Sequence, residues 1–276
     1  MKFLNSSEYL SEFKLAGVPY NNDDIIYLSG SIVEGKLSDI SRGVGNKLSD
    51  VDVFILRNTS SIDEKHTYTI NNRKFDFKLI NNIHYDFETY DLTQIREIFN
   101  SIAQLDFSKN LNVKRQLNLP NGWTFTVLNS IIHRLLNSIP IQNEDALKEL
   151  KDSLDYARYS KMYSQILKNR IDDANDDVIG NALNPSTQIT SIYVLRQSFI
   201  YLIEIILLKE GITNDREKWA QLKFNNLSKK SSKYDSVKEW EKRIFFEEIN
   251  VFESDTKKMI FEAQNFLNDE IEKLEE

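Results

Sequence analysis

Two aspartates separated by a single residue, Asp50-Val51-Asp52, stand at the head of an apolar run, VFIL at residues 53 to 56. Side chains alternate along a strand with period 2, so the two carboxylates would project from one face and Val51 and Val53 from the other. A third aspartate, Asp76, falls in the run RKFDFKLI at residues 73 to 80, where alternation groups it with Lys74 and Lys78, away from Phe75, Phe77 and Leu79. Three carboxylates crowded on one face repel one another, and a bound divalent cation is the usual way that repulsion is offset. Upstream, Gly30-Ser31 closes the apolar run IIYLS. Four of the eight glycines, Gly30, Gly35, Gly43 and Gly45, fall between residues 30 and 45, where a missing Cβ lets backbone N–H groups approach an anion. These residue types and spacings suit a phosphate held beside a metal.

The elements that must position these groups follow from periodicity. Residues 25 to 29 and 50 to 56 read as two strands flanking the glycine-rich loop. Residues 66 to 70 and 73 to 80 read as a hairpin around Asn71-Asn72, a dipeptide that tolerates the left-handed backbone of a tight turn. Tyr9, Leu10, Phe13 and Ala16 mark an amphipathic helix over 5 to 16, capped by Ser6 or Ser7 and ended by Gly17 and Pro19. Ile95, Ile98, Phe99 and Ile102 mark another after Leu92. The stretch 105 to 124, with Pro120 and Asn121-Gly122, reads as a domain boundary. Beyond it the pattern is helical, over 124 to 139, 144 to 170, 188 to 210, 235 to 251 and 256 to 274. The expected fold is therefore α+β: a domain at 1–120 with a small mixed sheet and flanking helices, then an all-α bundle at 121–276. The most apolar segment, ITSIYVLRQSFIYLIEIILLKE, is expected at the centre of that bundle.

Composition narrows the class without naming a function. The 276 residues are enough for two domains, and 41% hydrophobic with 28% charged residues is the balance of a globular protein. A net charge of −7 argues against a chain whose main task is gripping nucleic acid. The lack of cysteine excludes a disulfide framework, a thiolate zinc site and a cysteine nucleophile. His66, His84 and His133 have no metal-ligand spacing, and His133, in the apolar VLNSIIHRLL, reads as a structural histidine. The N-terminus lacks an apolar signal core and no run approaches the ~18 residues that span a bilayer. A cytoplasmic protein with no membrane partner is expected.

Gly30-Ser31 after an apolar strand, Asp50-Val51-Asp52 opening the next strand and a later strand aspartate, Asp76, resemble the signature of the polymerase-β-type nucleotidyltransferase superfamily. The likeness covers residues 25 to 80, and the helical half is similar in outline to minimal nucleotidyltransferases with a C-terminal helical domain, including antibiotic nucleotidyltransferases. One departure stands out. Eighteen residues separate Ser31 from Asp50, more than the family usually has, and the extra piece around KLSDISRGV reads as a loop that orders when nucleotide binds.

The resemblance implies a metal-dependent transfer of a nucleoside monophosphate from a nucleoside triphosphate, ATP first, to an acceptor hydroxyl, with release of pyrophosphate. Asp50, Asp52 and Asp76 would be the catalytic carboxylates and the ligands of two Mg²⁺ ions, with Asp76 helping to deprotonate the acceptor. Gly30, Ser31 and Lys47 would bind the triphosphate, with Lys36 and Arg42 as further phosphate neighbours. The acidic balance favours a small-molecule acceptor over protein or tRNA, the acceptors of a toxin or antitoxin type. Two other readings compete. In a metal-dependent glycosyltransferase the D-x-D would hold a sugar nucleotide, but there the motif normally closes an apolar strand and the third carboxylate has no role. In a non-catalytic binding partner of the same fold, one of the three carboxylates would be missing.

Overall fold

The computed structural model describes residues 4–46, 48–58, 68–70, 73–108, 116–247 and 254–275. The fold is α+β, and the chain divides into two compact units, Met1–Tyr159 and Ser160–Glu276.

The first unit is built on a six-stranded mixed sheet with strands β1 (Ile25–Ser29), β2 (Val51–Arg57), β3 (Tyr68–Ile70), β4 (Arg73–Ile80), β5 (Ile83–Asp91) and β6 (Ile139–Gln142), in the order β3-β4-β5-β2-β1-β6. Among the described residues only the β2–β5 pairing is parallel. Helices α1 (Ser6–Leu15), α2 (Ser31–Leu37), α3 (Leu92–Ala103), α4 (Phe125–Leu136) and α5 (Glu144–Asp152) flank it. The cap of α1 is Asn5, not Ser6 or Ser7: its side chain accepts from the Glu8 amide while the Glu8 carboxylate accepts from the Asn5 amide.

One face of the sheet is the apolar core. Val51, Val53, Ile55, Ile26, Leu28, Tyr85 and Phe87 pack there with Tyr9 and Phe13 of α1. The other face carries a ladder of rings, Tyr27, Phe54 and Tyr90, stacked at 5.2 and 6.1 Å, with Trp123 edge-on to Tyr90. Asp52 and the even-numbered residues of β5 share this second face.

The first unit extends past residue 120, the boundary expected from the sequence. The segment read as one helix over 124 to 139 stops at Leu136, and the chain then adds β6 to the free edge of β1. Pro140 suits that position, because an edge strand tolerates the missing N–H. Strand β5 is a further addition to the expected elements. It leaves β4 through Asn81-Asn82, both left-handed at φ of 50° and 61°, the same turn chemistry that the sequence reading assigns only to Asn71-Asn72. The turn at 71–72 lies outside the described residues, while the expected hairpin is present as the β3–β4 pairing.

The second unit is all-helical, with most of α6 (Tyr156–Ala182), then α7 (Gln188–Lys209), α8 (Glu217–Ser228), α9 (Asp235–Phe245) and α10 (Ser254–Glu275). Helix α8 is not among the helices expected from periodicity. As expected, α7 is the central helix, packing against α8, α9 and α10. Although Pro185–Lys209 is long and apolar enough to cross a membrane by length and composition, contrary to the expectation that no run is, 67% of its apolar window is buried inside the protein.

Candidate functional site

The parallel pairing of β2 with β5 fixes which carboxylates meet. Asp52 is in register with Asp86, and both stand on the ring-bearing face. Asp50, just before β2, lines the same recess as Asp86, Phe77 and His84. The expected third member does not join them. Asp76 is in register with Phe87, which belongs to the apolar core face, so Asp76 lies on the opposite side of the sheet and ion-pairs with Lys78 at 3.1 Å. The grouping of Asp50, Asp52 and Asp76 is therefore corrected to Asp50, Asp52 and Asp86. The face assignment of β4 reverses for the same reason. Lys74 is buried, whereas Phe77 and Leu79 are exposed beside Asp86 and His84.

The carboxylates of the new group repel one another. Burial, then the charges of Asp50, Asp52 and Glu88, push Asp86 up to about 6, with Arg134 opposing. Glu88, two residues along the same strand, is also raised, by burial first, against a hydrogen bond from the Tyr90 hydroxyl and the charges of Arg134 and Arg73. A cation stands beside them: Arg134 of α4, whose Nη1 lies 2.7 Å from Asp52 Oδ1 while its guanidinium sits 5.5 Å from the centre of the Phe54 ring. Arg134 is not singled out by the sequence, since nothing local marks a residue of an apolar helix as the partner of a distant strand.

Gly30 is the second element the geometry demands. Its φ of 86° with ψ of −176° is a backbone region open essentially to glycine alone, and a Cβ there would lie 1.7 Å from Asp52 Oδ2. The missing side chain is what lets the strand end pass against the carboxylate. Ser29, the residue before it, donates its hydroxyl toward the backbone carbonyls of Arg134 and Asn137 at 2.8 and 2.9 Å, fastening α4 to the same strand end.

The extra piece after Ser31 is packed against the fold. Ser41 is buried and donates to Glu34 Oε1 at 2.8 Å, and Val44 is buried against α2. Gly35 allows this contact, because a Cβ would stand 2.3 Å from the Val44 carbonyl oxygen. On its other oxygen Glu34 meets His133 Nε2 of α4 at 3.2 Å, and the Nδ1 of His133 lies 3.2 Å from the Asn137 amide. His133 is thus a buried structural link, as expected. Beyond the end of α2, KLSDISRGV is a loop of turns and bends that forms a wall, anchored by Ser41 and Val44.

That wall bounds a cleft of about 940 Å³ lined by Ile32, Lys36, Val44, Asn46, Asp50 and His84, among others. Lys36 therefore faces the cleft. Arg42 instead pairs with Asp39 on the surface, and Lys47 lies outside the described residues, as does His66. His84 is the cleft residue that spacing arguments pass over; its position opposite Leu79 across the β4–β5 turn puts it there.

Among the described residues no three His, Asp or Glu side chains converge closely enough to hold a metal by themselves. Mg²⁺ does not need such a cage, since it keeps several waters and is usually held by one or two carboxylates together with substrate phosphates. Asp50 lines both the cleft and the recess beside it, and Asp52 follows two residues along on the face that carries Asp86; their hard carboxylate oxygens fit a cation of that kind.

No family model matches the chain, and no curated protein matches it. Among solved structures it is similar to a nucleotidyltransferase-like protein from Exiguobacterium sibiricum 255-15, with 10% sequence identity and a TM-score of 0.47, covering 97% of this chain and 74% of that one.

Proposed function

We propose that this protein is a metal-dependent nucleotidyltransferase that moves a nucleoside monophosphate from a nucleoside triphosphate, ATP first, to a hydroxyl of a small-molecule acceptor. The observation that carries the proposal is the register of Asp52 with Asp86, reached by Gly30 from the adjoining strand end. Asp50 and Asp52 would hold Mg²⁺, which when bound supplies charge to the phosphate oxygens and the leaving pyrophosphate. Gly30 and Ser31 would receive phosphate oxygens through their backbone N–H groups. Asp86 takes the role first given to Asp76. Its carboxyl, raised to about 6, is ionised at neutral pH yet basic enough to accept the proton of an attacking hydroxyl. The hydroxyl oxygen then forms its bond to the α-phosphorus as the bond to the pyrophosphate oxygen breaks. Phe77 and Leu79, exposed beside Asp86, give the acceptor an apolar shelf next to this base.

The test is incubation of the protein with a metabolite pool, Mg²⁺ and each nucleoside triphosphate, read by mass spectrometry. A product heavier by one nucleoside monophosphate, absent with Asp52→Asn, is expected and identifies donor and acceptor together. Equal product from wild type and Asp52→Asn would sink the assignment.

A further inference from the structure

Arg134 is placed by the fold and does not reach its partner by chance. Its backbone carbonyl accepts from Ser29, one residue before Gly30, and its side chain is only 7% exposed, packed over the Phe54 ring. From there it reaches Asp52 Oδ1 at 2.7 Å. A buried guanidinium cannot give up one carboxylate without another to take its charge. Glu88 answers this need, for it stands on the same sheet face, two residues along β5 from the partner of Asp52, and already interacts with the charge of Arg134.

We propose that Arg134 is a built-in competitor for the divalent cation at Asp52: the guanidinium occupies that carboxylate and must pass to Glu88 before a metal can bind there. The inference rests on the reading of Asp52 as a metal ligand and adds a control on it. A cation bound at Asp52 works against the neighbouring positive charge, so the metal alone binds weakly, and removing that charge strengthens its binding.

The experiment is Mn²⁺ binding to the full chain, without nucleotide, followed at pH 8 by loss of the free-ion electron paramagnetic resonance signal. Arg134→Met and Arg134→Gln, the second retaining a polar side chain, are each expected to bind Mn²⁺ about tenfold more tightly than wild type. Unchanged or weaker binding in a folded variant overturns the proposal. Asp52→Asn added to Arg134→Met separates the two levels: if the double variant binds Mn²⁺ as Arg134→Met does, Asp52 is no ligand and the underlying reading fails, whatever Arg134 does. Should neither arginine variant fold, the wild-type protein labelled with ¹⁵N-arginine decides the question. Mg²⁺ is expected to move a guanidinium resonance that it leaves in place in Asp52→Asn, and the lack of any such movement overturns the proposal.

Discussion

Asp52 and Asp86 face each other across the parallel β2–β5 pairing, and Asp76, ten residues before Asp86 on the neighbouring strand, faces the other side of the sheet. This relationship separates two aspartates that look equivalent in the sequence. Asp86→Asn is expected to lower nucleotidyl transfer by about 10²- to 10⁴-fold, the usual worth of a positioned general base. Asp76→Asn weakens the pairing with Lys78 and is expected to leave transfer within about twofold, since a partly exposed ion pair contributes roughly 0–1 kcal/mol. Product formation measured for both variants checks the assignment, and the reverse ranking would restore Asp76.

Gly30→Ala tests the close approach on which the site depends. The new methyl group would fall on Asp52 Oδ2, and the backbone would be held at a φ that L-residues rarely adopt. Such strain costs on the order of 1–3 kcal/mol before the clash is counted. The expected result is a lower thermal midpoint together with loss of Mn²⁺ binding, because Asp52 must move to make room. A variant that melts as wild type does and still binds Mn²⁺ would show that the strand end and the carboxylate are not in contact.

What is legible in the sequence is local. The alternation around Asp50 and Asp52, the glycine after an apolar strand and the apolar run of α7 each depend on neighbours a few residues away, and each survives in the fold. Asp86 escapes notice because the face of a strand residue is set by register with a partner strand, and a shift of one residue moves every side chain to the other side. The alternation of Tyr85, Phe87 and Thr89 against Asp86, Glu88 and Tyr90 is a usable signal for a strand, as is a second Asn-Asn turn. Arg134 and Glu34 give no such signal, since each acquires its partner only when α4 packs beside the strand end and α2.

At the far end of β1 and β2, Arg57 and Asp24 form a buried pair in which Arg57 Nε donates to both Asp24 oxygens at 2.9 and 3.0 Å and its Nη2 also donates to the Pro19 carbonyl. Both side chains are almost fully buried, so neither charge can turn to water when its partner is lost. Arg57→Met alone is expected to cost about 3–5 kcal/mol, because it strands the Asp24 carboxylate. Arg57→Met with Asp24→Asn should cost clearly less than the two single changes added together. Urea unfolding of the three variants measures the coupling, and simple additivity would mean that the pair is solvated.

Glu204 of α7 is expected to make the stability of the second unit pH-dependent. Burial pushes its carboxyl up to about 7, against a hydrogen bond donated by the Asn214 amide; the Glu217 charge adds to the rise, while Arg170 and Lys223 oppose it. Tyr163, which also feels Glu204, is itself raised mainly by burial and stays neutral throughout the range. A carboxyl raised above its unfolded value binds its proton more tightly in the folded chain. Its contribution to stability is therefore fully present below about pH 4.5 and is lost as pH rises through 7. The loss is on the order of 3 kcal/mol by linkage. Glu241 of α9 is raised to about 7 by the same cause, so the wild-type profile carries both groups and the difference from Glu204→Gln isolates the first. In that variant the side-chain amide can still accept from Asn214 and carries no titrating proton. Calorimetric midpoints are thus expected to favour the variant increasingly between pH 5 and 8, and parallel profiles for the two proteins would show that Glu204 is ionised in the fold at no unusual cost.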